Sequence, residues 1–560
     1  MCMNEVFETI LTLLGGLGVF LIALKIMSEN LESVAGNRLR SIFNKISNNR
    51  FAGIAVGTGV TMVIQSSSAT TVMIVGFVNA GVMTLAQATS IIMGANIGTT
   101  ITAQIGALQS LPITAFFAAL ACVGAFLQMS KRDKVNLWGC IIGSIGMIFV
   151  GLEVMSMAMG TFKDSEVIQK VMTSIRNPIV LLLIGLTITA VVQSSSATTI
   201  ILITMAGAGL MTLKSAIFVT LGINIGTCVT AMFASIGATA NGKRASFIHL
   251  MFNCIGSLIF FILALVLPID KWLEAAFKDN VQTQIAMFHT MFNVSTTIIL
   301  VPFIKQLTQL ACLVIRDKKK KPNEDGFVED KFQYVDERLL ATPTIALAQV
   351  RKEILLMASI AKKNFDTSVY AISINSLTKQ PKFDARERHL NFLNKELTNY
   401  LVKVSSAPIS KQTERELSSY YHVISDLERV GDYAENIMEY TQKMVKNNVS
   451  FSDAAKAELA EMKSAIDKLY DVVMTGYINK DVSQKEDMEK IEESVDEYKI
   501  ALDRSHILRL RDNLCSPDAG AVWLNLINDL ERIADHFRNV YNSMSYYVDP
   551  PTKVKATVKA

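Results

Sequence analysis

The sequence predicts an all-α, polytopic membrane protein with two inverted-topology repeats, each holding a re-entrant helical hairpin, followed by a helical soluble part. Three observations predict it. The 560 residues are 50% hydrophobic and 19% charged, at a mean hydropathy of +0.34. Residues 51–130 contain no Lys, Arg, Asp or Glu, whereas 317–560 are densely charged. One block of sequence in the apolar part also occurs twice. This distribution excludes a disordered chain, a secreted disulfide scaffold and a wholly soluble enzyme. A net charge of +4, mixed in sign, gives no reason to expect nucleic acid. The seven cysteines form no CxxC pair, so neither a zinc ribbon nor a thioredoxin motif is present. The start, MCMNEVFETI, has no basic n-region and does not read as a cleavable signal.

Apolar stretches long enough to cross a bilayer run near 10–27, 84–106, 113–129, 138–157, 212–233, 245–267 and 284–304. Two more, 51–80 and 179–208, are interrupted by polar clusters. Basic loops orient the chain. Arg38, Arg40, Lys45 and Arg50 follow the first span, Lys131, Arg132 and Lys134 the third, Lys243 and Arg244 the fifth, and Arg316 with residues 318–321 the last. They share one side if 51–80 and 179–208 each enter and leave by the same face. The N-terminus is then outside and the C-terminal part cytoplasmic, in a cell (inner) membrane. Lys163, Lys170 and Arg176 would lie outside, offset by Asp164 and Glu166.

The repeat carries most of the argument. QSSSATTVMIVGFVNAGVMTLAQATSIIMGANIGTTITA, from Gln65, returns as QSSSATTIILITMAGAGLMTLKSAIFVTLGINIGTCVTA, from Gln193, at an offset of 128 residues without a gap. The same offset relates GGLGVFLIALKIMS, from Gly15, to GSIGMIFVGLEVMS, from Gly143. Residues 10–129 and 138–257 thus read as two copies of one unit. An odd number of crossings separates equivalent points, so the second copy is expected upside-down, as in secondary transporters.

Three consecutive serines suit a continuous helix poorly. Unwound backbone survives in hydrocarbon only where protein buries it or it lines a wet cavity. Residues 51–64 with 69–80, and 179–192 with 197–208, therefore read as hairpins of two half-helices, their QSSS tips meeting near the middle of the bilayer. The serines would cap the second half-helix, where free N–H groups and the dipole favour an anion. The first half-helix would offer its end carbonyls to a hard cation such as Na⁺. No Arg or Lys stands at the tips, which suits a site that must release an oxyanion.

Two further clusters repeat. GANIGTTIT (Gly94–Thr102) matches GINIGTCVT (Gly222–Thr230). Asn96, Thr99, Asn224 and Thr227 offer oxygens for a cation; glycine-mediated helix packing is the alternative reading. FIHLMFN (from Phe247) resembles MFHTMFN (from Met287), which makes His249 and His289 either functional intramembrane groups or partners in helix–helix hydrogen bonds. Lys25 and Glu153 occupy equivalent positions and could pair, or Lys25 could snorkel.

The paired QSSS tips, the GANIGT segments and their apolar setting resemble the type II sodium–phosphate cotransporter family over roughly 10–310. The resemblance implies Na⁺-coupled movement of inorganic phosphate. It implies phosphate binding by Gln65, Ser66, Ser67, Gln193, Ser194 and Ser195, and sodium binding by Ser68, Asn96, Thr99, Ser196, Asn224 and Thr227. Animal members carry an acidic residue near this segment, tied to an additional sodium ion. Here AQATSIIM precedes Gly94 without an acid, which leaves the number of sodium ions open.

Beyond the basic, polar linker IRDKKKKPNEDG (from Ile315), amphipathic helices are expected near 343–366, 383–403, 411–445, 454–477, 483–510 and 518–546. ISDLERVGDYAENI (from Ile424) and INDLERIADHFRNV (from Ile527) repeat, with Glu428 and Asp432 matching Glu531 and Asp535. Carboxylates at i and i+4 sit side by side and could hold a metal, or form a solvated acidic face. These residues resemble the PhoU-like domain, a pair of three-helix bundles whose E-x-x-x-D pairs face metal ions. Arg538 stands where the first copy has Glu435, which weakens the second site. The expected organisation is membrane repeat 1 (1–130), repeat 2 with the final spans (131–312), linker (313–340), PhoU-like domain (341–548) and tail (549–560).

The expected protein is thus a sodium-coupled phosphate symporter in the lipid bilayer with a cytoplasmic regulatory domain. A phosphate receptor with little transport, an exporter and a carrier of another oxyanion remain alternatives, as does a homodimer. No nucleophile–base set, P-loop or zincin motif points to an enzyme.

Overall fold

The computed structural model describes residues 3–44, 49–110, 114–163, 175–278, 280–316, 325, 327–407, 409–512 and 514–548. Lys45, Asp164, Glu166, Lys170, residues 318–321 and the tail 549–560 lie outside the described residues. All regular structure among the described residues is helical. The chain divides into two compact units, 1–318 and 319–560.

The first unit contains helices α1 (Met3–Asn44), α2 (Arg50–Ile64), α3 (Ser67–Asn79), α4 (Leu85–Ala107), α5 (Thr114–Gln128), α6 (Asp133–Lys163), α7 (Pro178–Val192), α8 (Ser195–Gly207), α9 (Leu213–Gly226), α10 (Cys228–Ala234), α11 (Ala240–Val266), α12 (Ile269–Ala276), α13 (Val281–Leu300) and α14 (Ile304–Val314). Six helical segments among the described residues are long and apolar enough to span a bilayer: Val6–Leu31, Leu85–Ser110, Asp133–Lys163, Leu213–Ala234, Ala240–Val266 and Val281–Val314. The stretch expected at 113–129 forms the shorter α5. Large apolar side chains such as Phe51, Phe126, Val191 and Ile298 are exposed, as lipid-facing residues are.

Both interrupted stretches break where the serines stand. Gln65 (φ 54°) and Gln193 (φ 56°) take the left-handed conformation and close α2 and α7. Ser66 and Ser194 then cap α3 and α8, accepting the N–H of Ala69 (3.1 Å) and Ala197 (3.2 Å). The chain reverses at the first break. Thr61 Oγ1 donates to Thr70 Oγ1 at 3.1 Å, whereas nine residues of straight helix would hold them about 13 Å apart. The expected half-helix start at 69 moves back to Ser67, so Ser67 and Ser68 lie in the first turn of α3.

Contacts recur between the copies. The sequence-equivalent helices α1 and α6 pack on each other around Phe20, Ile148, Leu152 and Met155. Each first half-helix lies against the GANIGT-type helix of its own copy, α2 on α4 and α7 on α9. Glycine permits that approach: a Cβ on Gly94 would fall 2.0 Å from the Ile54 carbonyl oxygen, and one on Gly222 2.0 Å from that of Leu182. Across the copies, α4 touches α8 and α10 touches α3, a reciprocal pattern of the kind a two-fold relation produces. One difference stands out: α4 runs through its glycines unbroken, whereas Thr227 separates α9 from α10. Of the two readings for Lys25, the pair with Glu153 does not form. Lys25 is exposed and reaches Glu29, one turn along α1, at 3.8 Å.

The second unit holds α15 (Pro343–Ile374), α16 (Gln380–Ser405), α17 (Lys411–Lys446), α18 (Asp453–Asn479), α19 (Lys485–Arg511) and α20 (Pro517–Met544). Helices α15 to α17 pack as one bundle and α18 to α20 as another, joined through α17 and α20, the two helices that share the DLER motif. The end of the expected linker is not loose. Phe327 is buried and stacks on His389 at 4.1 Å, and Asp325 receives the Arg386 guanidinium at 2.7 Å. The carboxylate of Glu353, itself buried, accepts the N–H groups of Gln333, Tyr334 and Val335.

Candidate ion-binding site

At the first tip the sequence-predicted residues separate by role. Gln65 is held on both ends of its amide: Nε2 donates to Met62 O at 2.5 Å, and Oε1 accepts Thr102 Oγ1 at 3.0 Å. Ser66 is the cap. Ser67 is buried, and its hydroxyl has no partner among the described residues. Ser68 Oγ accepts Thr230 Oγ1 at 3.0 Å, a bond that ties the first tip to the second copy. The N–H groups of Ser67 and Ser68, in the first turn of α3, have no intrahelical acceptor, so the tip offers donors to an anion.

The expectation of open carbonyls at the end of the first half-helix is corrected here. Met62 O takes the Gln65 amide, and Ile64 O takes Ser28 Oγ at 2.7 Å. One donor comes from the tip itself and the other from α1, so these two carbonyls are not open to an ion. The equivalent carbonyls in the second copy, of Ala190 and Val192, receive no side-chain donor among the described residues. Gln193 is exposed and Ser195 buried, Ser194 caps α8, and Ser196 lies half-buried in its first turn. The two tips are therefore alike in backbone and unlike in environment. Among the described residues no hydrogen bond joins one QSSS cluster directly to the other.

The asparagines acquire partners that sequence spacing did not reveal. His249 on α11 lies with Nε2 3.3 Å from Asn96 Oδ1, and His289 on α13 lies with Nε2 3.3 Å from Asn224 Oδ1. All four are buried. The reading of His–Asn hydrogen bonding between helices holds, with Asn96 and Asn224 as the partners. Asn253 and Asn293 turn back to the carbonyls of His249 and His289, at 3.1 and 3.0 Å. The hydroxyls of Thr99 and Thr227 donate to their own helices, to Ala95 O (3.1 Å) and Ile223 O (2.9 Å); their oxygens keep lone pairs. The unpartnered, buried Ser67 Oγ, Asn96 Nδ2, Thr71 Oγ1 and Thr189 Oγ1 mark this region as polar without charge.

In the second unit the two acidic motifs differ. Glu531 and Asp535 are neutralised: Lys499 lies 3.5 Å from Glu531, while Arg532 (3.4 Å) and Arg538 (2.7 Å) reach Asp535. Arg538 also pairs with Glu492. Among the described residues, Glu428 and Asp432 are offset by Arg429, 3.2 Å from Asp432. They face Glu387 of α16, which sequence reasoning had no ground to single out because it lies on another helix. Burial, then the charges of Glu435, Asp432 and Glu428, push the Glu387 carboxyl up to about 7, against one Asn364 hydrogen bond that lowers it. Burial likewise raises Glu428 and Glu435. Among the described residues no three His, Cys, Asp or Glu groups stand close enough to hold a metal ion. The metal expected on Glu428, Asp432, Glu531 and Asp535 thus finds no assembled site; one motif forms an acidic seam and the other a set of ion pairs.

Duplicated broken helices, neutral buried donors and an apolar surround define a membrane transporter rather than an enzyme. The Na⁺/Pi-cotransporter family model matches residues 19–157 and 158–277, and the PhoU domain model matches 354–441 and 459–544. Residues 19–277 thus match the Na⁺/Pi-cotransporter family, and the C-terminal part carries two PhoU-domain matches. It is similar to a Salmonella typhimurium protein named for inorganic phosphate export, at 23% identity over 96% of this chain and 97% of that one. It is similar to human sodium-dependent phosphate transport protein 2B at 37% identity over 111 residues, covering 20% of this chain and 16% of that one. The crystal structure of PhoU from Pseudomonas aeruginosa aligns with 37% of this chain and 98% of its own, at 18% identity and a TM-score of 0.35.

Proposed function

We propose that this chain is a sodium-coupled symporter of inorganic phosphate, working by alternating access, with its C-terminal unit in the cytoplasm as a regulator. Gln65, Ser66 and Ser67 with Gln193, Ser194 and Ser195 hold phosphate through hydroxyls, amides and helix N-termini. Ser68, Asn96, Thr99, Ser196, Asn224 and Thr227 supply the oxygens for sodium. The observation that carries this reading is the Thr230–Ser68 hydrogen bond, which brings the second copy onto the first tip. The unequal surroundings of the two tips support alternation, because two inverted copies of one unit exchange environments when access switches sides. Anion and cation depend on each other, since neither is well compensated in a pocket without charged side chains.

A relative that matches nearly end to end is named for phosphate export. This favours a second reading, net efflux, with the same site run outward. Labelled phosphate flux in proteoliposomes of the full chain, with sodium gradients imposed in either direction, tests both. Ser67→Leu or Ser195→Leu abolishes the sodium-dependent flux while the protein stays folded. Normal flux in either variant refutes the site, and flux indifferent to sodium refutes the coupling.

A further inference from the structure

We infer that His249 and His289 are positioning residues for sodium: each holds the carboxamide of Asn96 or Asn224 in the orientation that turns its oxygen to the ion. The inference rests on the sodium assignment of those asparagines given above. Its basis is an arrangement that occurs twice in space but not at the repeat offset in sequence. Asn96 and Asn224 are 128 residues apart, whereas His249 and His289 are 40 apart. By the repeat, the counterpart of His249 is Ala121 on α5, and α5 packs on α6. The helix that approaches the second asparagine is instead α13, which lies outside both copies. It touches α8, α4 and α9, as α11 touches α3, α9 and α4. A histidine therefore accompanies each asparagine in the fold, although the duplication did not deliver it.

The donor can be assigned. Asn224 Nδ2 donates to Thr220 O at 2.9 Å, which turns Oδ1 toward the His289 ring. A carboxamide oxygen only accepts, so Nε2 of His289 carries the proton. The atom of Asn96 that faces His249 Nε2 is likewise Oδ1, an acceptor, so His249 carries the same tautomer. Nδ1 of each ring has no partner among the described residues. The bond to asparagine is thus the one described side-chain bond that each ring makes. Packing alone would be met by leucine, without the cost of burying an imidazole in an apolar bundle. What the imidazole adds is directional. Its N–H fixes the amide plane and leaves the second lone pair of Oδ1 for a cation. Without it the Asn96 amide, whose Nδ2 has no partner among the described residues, can rotate and present its NH₂ instead, and the Asn224 amide is held by Thr220 O alone. Outer partners orient inner ligands in this way at metal sites.

The test is sodium-dependent uptake of labelled phosphate by the full chain in proteoliposomes. His249→Leu and His289→Leu are expected to raise the half-saturating sodium concentration about fivefold each, the worth of one net hydrogen bond. The phosphate KM at saturating sodium and the maximal rate should stay within about twofold. His249→Gln and His289→Gln, whose amide nitrogen reaches nearly as far as Nε2, should restore the wild-type sodium dependence. Unchanged half-saturating sodium in the leucine variants, or an equal shift in phosphate KM, overturns the inference. If the leucine variants do not fold, His289→Gln against the shorter His289→Asn decides: equal sodium dependence overturns it, and a defect in Asn alone supports it. Asn96→Ala and Asn224→Ala separate the two layers. Should they leave sodium dependence intact, the sodium assignment itself falls, and the inference with it. Should they alter it while the histidine variants do not, only the inference falls.

Discussion

Glu387→Gln should stabilise the first helical bundle at alkaline pH and leave it unchanged in acid. The carboxyl sits at 5% exposure on α16, and a Cβ on Gly431 of α17 would fall 3.2 Å from its Oε2. Burial and the acids of α17 raise it from 4.5 to about 7. Because the folded value lies above the unfolded one, the folded chain binds more protons between these two values, and stability is lost as pH rises through that window. Below pH 4.5 both states carry the proton and no penalty remains. At pH 8 the difference of roughly 2.5 units corresponds to about 3 kcal/mol, at about 1.4 kcal/mol per unit. Glutamine keeps an oxygen for the Asn364 N–H and removes the charge, so that penalty disappears. Hydrogen exchange of the full chain reads it: amides of α17 around Gly431 should be protected about 300-fold more in the variant than in wild type at pH 8, and nearly equally at pH 4.5. Equal protection at both values, or a variant less protected at pH 8, refutes the idea that Glu387 is a buried acid crowded by like charge.

Two further outcomes follow from packing and charge. Gly94→Ala or Gly222→Ala puts a Cβ 2.0 Å from a facing backbone oxygen; α2 and α4, or α7 and α9, must separate, so folded yield and thermal stability in detergent should fall by at least the 1–3 kcal/mol typical of overpacking. Wild-type melting in either variant counts against that seam. Arg538→Glu removes the cation paired with Glu492 and Asp535 and restores the acid found at Glu435; it should destabilise the second bundle more at pH 8 than at pH 5, seen as exchange in α19 and α20.

The helical class, the membrane character of the first part and the two breaks at QSSS were legible in sequence because each has a local cause. Apolar runs must leave water, three serines terminate a helix, and Ser66 and Ser194 cap the next one whatever surrounds them. The 128-residue repeat exposed the paired sites because equal sequence in two copies folds into equal local structure. Boundaries were less legible, since cap geometry shifted the start of α3 to Ser67. The carbonyls expected to be free at the first tip were taken by Gln65 and by Ser28, the latter 36 residues away.

Tertiary structure alone decided who faces whom. Helical periodicity places His249, His289 and Glu387 on a face, but says nothing about which other helix that face meets. Only the fold sets α11 beside α4 and α13 beside α9, and only the fold turns Glu387 toward the acids of α17. The equality of the two acidic motifs also ended there: the sequence offers Glu531 and Asp535 as freely as Glu428 and Asp432, and the guanidinium and ammonium groups that neutralise the second pair reach it through space. Side-chain chemistry is written residue by residue, whereas the field and the partners that give it a task come from distances across the chain.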